Sequence, residues 1–137
     1  AGDSRFAKRF RLYRDAKLAV RDKPFEVTED YAAIAAMVRH FTEQGTRVVL
    51  INTPESPRIL SQYQHGPYYT GYRAFFQQLA EQFPGVRFHD FSDTLPAEDF
   101  NDWHHLNYIG AIKLGPVYAS TVTAALPNQP PAAAAPR

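Results

Sequence analysis

The sequence predicts an α/β fold, a three-layer α/β/α arrangement around a parallel sheet, on three observations. Val48 to Ile51 is an unbroken aliphatic run, the pattern of a strand covered on both faces, and Val86 to Phe91 reads as a second strand, along which His89 and Asp90 alternate. Between them, Phe75, Phe76, Leu79 and Phe83 recur at helical spacing. The order is therefore strand, helix, strand, a crossover that is right-handed almost without exception.

Each element has its own signals. Phe6, Phe10 and Tyr13 after Ser4 predict a basic helix over 5–21 that ends before Pro24 and packs weakly at the periphery. Thr28 is a competent cap for a second helix, in which Tyr31, Ile34, Val38 and Phe41 repeat at three- and four-residue steps before Gly45 supplies a left-handed stop. The first strand follows and breaks at Asn52-Thr53-Pro54. Residues 53–69 hold Pro54, Pro57, Gly66 and Pro67, which predicts a long loop with room for one helical turn. A third helix is expected from Tyr72 to Pro84-Gly85, then the second strand. A last helix is expected from about Asn107 to Leu126, burying Ile109, Ile112, Val117 and Val122 and broken or kinked near Gly115-Pro116. Pro127 to Arg137, with four Pro and four Ala, has the composition of a disordered tail. The domain is thus expected over 1–126.

At 137 residues, 45% hydrophobic and 21% charged, the chain fits one globular domain. Its lack of cysteine excludes disulfides and thiolate chemistry. No run is long and apolar enough to predict a transmembrane segment. Residues 1–23 hold eight Lys or Arg and three Asp, a charge of +5, and the remainder carries −4. The basic side chains spread around their helix and no reading motif accompanies them, so nucleic acid is not an expected partner.

In this topology the loops after both strands meet at the carboxyl edge of the sheet, where open α/β folds bind ligands. There the sequence places Asp99-Phe100-Asn101-Asp102-Trp103-His104-His105-Leu106-Asn107. Asp102 and His105, three apart, can share one side of a helical turn. The carboxylate then accepts the Nδ1 proton and leaves Nε2 free as a base, the orienting arrangement of a serine hydrolase triad. Asp99, Asp102, His104 and His105 also compose a donor set for a metal-dependent hydrolase, although no chelating pair of the His-x-x-x-His kind is present. The expectation is no metal and no cofactor. Tyr63, Tyr68, Tyr69 and Tyr72 with Trp103 read either as sugar-stacking rings or as the filling of the long loop. Asn52, Tyr68, Tyr69 and Trp103 are the substrate-binding candidates; Arg58 and Arg73 are cations able to clamp an anion, or plain surface charge.

Asp102-Trp103-His104-His105 resembles the Asp-x-x-His block that follows the final strand of SGNH (GDSL-like) hydrolases, a flavodoxin-like fold. The longer run Asp102 to Ala111, with Val48 to Pro54 and Val86 to Phe91, is similar to the branch containing bacterial cell-envelope polysaccharide O-acetylation and D-alanylation proteins. The resemblance covers roughly residues 28–126. It implies a serine esterase or O-acyltransferase acting on O-acetyl groups of an envelope polysaccharide in the periplasm or at the cell surface, with an envelope protein as possible partner. His105 is then the general base and Asp102 its orienter. Gly2-Asp3-Ser4 has the letters of the family's nucleophile block, but three residues are too few to form the strand that precedes it; Ser4 reads more readily as a helix cap or part of a leader. The Gly and Asn blocks of the oxyanion hole have no match. The chain is then either the carboxyl part of a larger domain or a pared-down member. The alternative is a non-catalytic carbohydrate- or partner-binding module.

Overall fold

The computed structural model describes residues 4–126, without the side chains of residues 4–7, 9 and 10. The expected tail therefore lies outside the described residues, as do the side chains of Ser4, Phe6 and Phe10. Over the described range the chain is mixed α/β, with five helices and a short two-stranded parallel sheet. Helix α1 spans Ser4–Arg21 and α2 spans Glu29–Glu43. Strand β1 is Val48–Asn52, α3 is Pro57–Leu60, α4 is Pro67–Gln82, β2 is Val86–Asp90, and α5 is Tyr108–Ala125.

Gly45, at φ 77°, turns the chain out of α2 in the left-handed conformation that its lack of a Cβ permits. Thr28 occupies the cap position of α2 with extended backbone, but its side chain makes no cap hydrogen bond. Helix α4 starts five residues before the expected Tyr72. Pro67 stands at its first turn, where a missing N–H costs nothing and φ is already helical, so a residue read as a breaker is a starter. For the same reason Pro57 opens α3 within the expected loop.

The two strands pair in register, Val48 with Val86 through Asn52 with Asp90. Strand alternation sends Val48, Leu50, Val86 and Phe88 to one face, where they pack with Val38 of α2 and Phe76 and Leu79 of α4. Opposite them, Phe91 meets Tyr118 of α5, and Arg47 donates to the Ala125 carbonyl at 2.8 Å. A second cluster, Ile59, Leu60, Tyr63, Tyr69 and Trp103, fills the space beyond the carboxyl ends of the strands and receives Tyr13 and Leu18 from α1.

Helix α5 departs from expectation. It runs unbroken through Pro116. Ile109, Ile112, Val117 and Val122 are not buried but 52%, 53%, 39% and 46% exposed, whereas Gly110, Leu114 and Ala125 face inward. The sheet explains this: two strands are too narrow to cover more than one stripe of a helix that is apolar almost all round.

Candidate functional site

The loop following β2 is closed on itself before α5 begins. An antiparallel bridge joins Phe100 to Leu106, the Asn101 N–H donates to the His105 carbonyl at 2.8 Å, and its side-chain amide donates to the Leu106 carbonyl. At the loop's base, Asn107 caps α5: its Oδ1 accepts the Gly110 N–H at 3.0 Å and its amide donates to the Glu98 carbonyl at 2.6 Å. The sequence therefore makes a small rigid platform from five residues between two anchors.

Asp102 builds the turn at its tip. Its Oδ1 accepts the backbone N–H of His104 at 2.9 Å and of His105 at 2.7 Å, while Oδ2 lies 2.6 Å from His105 Nδ1. The pairing is the one expected, but the segment is a bend rather than a helical turn, and the carboxylate itself supplies the turn's hydrogen bonds. Burial pushes the Asp102 carboxyl up, yet the His104 N–H and the His105 side-chain and backbone bonds outweigh it and hold the group down at about 2. Asp102 is thus a fixed anion, 13% exposed, beneath an imidazole that is 68% exposed. With Nδ1 engaged, Nε2 of His105 faces solvent and takes no hydrogen bond from the described residues.

The neighbours of this pair sort clearly. His104 stacks on Tyr13 of α1, ring centroids 4.6 Å apart, and lies 4.0 Å from the His105 ring. Asp102, His104 and His105 bring ligand atoms within 4.8 Å of one another. However, the 2.6 Å between Asp102 and His105 is a hydrogen-bond length, whereas two ligands of one tetrahedral zinc stand about 3.3 Å apart given its bond lengths. Asp99 does not join them: it is 1% exposed and bound to Lys113 by both oxygens at 2.8 Å.

The two loops at the carboxyl edge are neighbours as expected, with Glu55 N–H bonded to the Ser92 carbonyl and Ser56 N–H to the Trp103 carbonyl. Asn52 sits between the tyrosines and Asp90. Its amide donates to Tyr69 Oη at 3.0 Å and Asp90 Oδ1 at 2.9 Å, and its carbonyl accepts from Tyr72 at 3.2 Å. Both amide hydrogens are engaged, so Asn52 is a brace rather than a free oxyanion donor. Trp103 is 7% exposed within the core cluster, so its ring supports the loop from beneath instead of offering a face to a ligand. Tyr68 and Tyr69 do line a cavity, of about 480 Å³, with Tyr13, Tyr31, Tyr63 and Tyr72. Arg73 pairs with Asp90 at 2.5 Å. Arg58 is exposed.

Two residues escaped the sequence reading. Lys17 of α1 reaches Glu55, Nζ to Oε1 3.1 Å, and Tyr63 donates to the other Glu55 oxygen. Separated by 38 positions and each an ordinary surface type, Lys17 and Glu55 carry no local signal. Burial first, and Glu55 next, hold the Tyr63 hydroxyl far above its usual range; the Lys17 ammonium, which burial alone would pull down, is raised by Glu55.

A protein-family model matches residues 4–127, nearly the whole chain. The chain belongs to that family, one of unknown function. Over 107 residues it is 30% identical to an uncharacterized protein of Leptospira interrogans serogroup Icterohaemorrhagiae serovar Lai (strain 56601), a match covering 78% of the chain and 20% of that protein. The chain therefore spans about a fifth of that relative's length. No solved structure matches it significantly.

Proposed function

We propose that the chain carries the acid–base half of an SGNH-type serine esterase or O-acyltransferase acting on O-acetyl groups of an envelope polysaccharide, in the periplasm or at the cell surface. The observation that carries this reading is the 2.6 Å contact between Asp102 and His105 Nδ1 beneath a solvent-facing Nε2. His105 takes the proton from a serine hydroxyl as that oxygen attacks the ester carbonyl. Asp102 fixes the tautomer and stabilises the imidazolium, and His105 then returns the proton to the departing alcohol. Water or a sugar hydroxyl, deprotonated by the same imidazole, releases the acyl group. The parallel strand–helix–strand unit with the loop after β2 at its carboxyl edge supports the three-layer fold this chemistry is built on.

Among the described residues no serine hydroxyl hydrogen-bonds His105. Ser4, the first residue of α1, carries only the letters of the nucleophile block, so the attacking serine is either Ser4 or one on a segment outside this sequence. Purified protein should hydrolyse an activated acetyl ester and be labelled by a fluorophosphonate. His105→Ala should lower kcat by ~10³ or more, as triad deletions do, and Ser4→Ala should abolish labelling if Ser4 is the nucleophile. Equal rates for wild type and His105→Ala would remove the catalytic reading. The alternative, a non-catalytic carbohydrate- or partner-binding module, would then stand, favoured by the tyrosine-lined cavity.

A further inference from the structure

We infer that the cavity beneath α1 is a saccharide-binding site, in which tyrosine faces seat a sugar ring and the Glu55–Lys17–Tyr63 node reads its hydroxyls. At about 480 Å³ the cavity falls within the roughly 300–1,000 Å³ of small-molecule sites. One side is α1, through Tyr13, Lys17 and Val20; the other is formed by Glu55, Tyr63 and the start of α4. Six tyrosines line it; Tyr63 and Tyr69 are buried in the core cluster, so the partly exposed rings of Tyr13, Tyr31, Tyr68 and Tyr72 are the ones that offer apolar surface to the C–H face of a pyranose.

The polar groups decide the ligand class. Lys17 Nζ lies 3.1 Å from Glu55 and 5.5 and 5.1 Å from the ring centroids of Tyr13 and Tyr63, so the ammonium is already neutralised and caged. A phosphate would meet the Glu55 carboxylate, and a cationic ligand would meet the Lys17 ammonium. Arg21, also on the wall, is tied to Asp22 at 2.7 Å. A bare acyl chain would strip water from the ion pair and return no hydrogen bond. A neutral, polyhydroxylated ring fits both halves: its hydroxyls donate to Glu55 and accept from Lys17, while its faces cover the rings. The cavity also adjoins the proposed chemistry, because Tyr13 lines it and stacks on His104, the neighbour of His105. That the bound sugar is the alcohol part of the ester rests on the esterase reading; the binding itself does not.

The test follows the tyrosine ring resonances by NMR while cellobiose, maltose, N,N′-diacetylchitobiose and, separately, octanoate are added. At least one saccharide should shift Tyr13 and Tyr63. Tyr13→Ala and Glu55→Gln, with circular dichroism unchanged, should each weaken that binding about tenfold or more, the worth of roughly one good contact. His105→Ala should bind the sugar as wild type does. Saccharide binding without ester hydrolysis would sink the esterase reading and leave this one intact. Shifts with octanoate alone, or with no probe, would overturn the saccharide site; so would binding indifferent to both variants.

Discussion

Both carboxylate oxygens of Asp99 lie 2.8 Å from the Lys113 ammonium, and this pair ties the base of the Asp102–His105 loop to α5. Asp99 is 1% exposed while Lys113 is half in water, so the two ends of the bridge are not equivalent. Removing Lys113 strands a buried anion, at about 3–5 kcal/mol. Neutralising the acid as Asp99→Asn frees an ammonium that can turn to solvent, at about 1–2 kcal/mol. Urea unfolding should therefore rank Lys113→Met as clearly the worse of the two. The reverse order would mean that the pair does not hold the loop.

Gly110 offers a second check on the same junction. A Cβ there would collide with the Asp99 carbonyl oxygen, whereas a Cβ at Gly115, one and a half turns further along α5, meets nothing within 4 Å from outside its own stretch of helix. Gly110→Ala should destabilise by about 1–3 kcal/mol through overpacking. Gly115→Ala should stay within about 0.5 kcal/mol of wild type, since the helix-propensity gain of alanine is opposed by the crowding of Pro116 on the Cβ of the residue before it. Thermal melts should show Gly110→Ala well below wild type and Gly115→Ala close to it.

Asp102 sets an acid limit. Its carboxyl is lowered from an ordinary 3.8 to about 2 in the fold, so the unfolded chain takes up its proton first as pH falls. The stabilisation is complete above the unfolded value and is lost between about 4 and about 2. Asp102→Asn should flatten the stability profile across that window and leave the slope above it unchanged. An unaltered acid limb in the variant would show that the carboxylate is not held by His104 and His105.

How far these features were legible varies with the range of the interaction that makes them. Asp102 and His105 were readable because their relation is local, three positions within one loop. The parallel strands were readable because each is a short local run, aliphatic in β1 and alternating in β2, set off by the glycine, proline and asparagine breakers beside it. Lys17 and Glu55 were not, since only the docking of α1 brings them together. Tyr69 and Trp103 belonged to one pattern in the sequence, yet packing separates them, one on the cavity wall and one beneath the loop. The inward face of α5 was misassigned because almost every side of that helix is apolar; the sheet's width, not the pattern, selects Leu114.

That selection is itself measurable. Leu114 packs with Leu95 and Phe100 at the foot of the site loop, so Leu114→Ala should cost about 2–5 kcal/mol. Ile112, two residues earlier, is 53% exposed, and Ile112→Lys should change stability by no more than about 0.5 kcal/mol, as surface substitutions do. The contrast is strong because periodicity alone assigned Ile112 to the core. If Ile112→Lys proved as damaging as Leu114→Ala, the outer stripe of α5 would have to be covered in solution by a surface that the described residues do not provide.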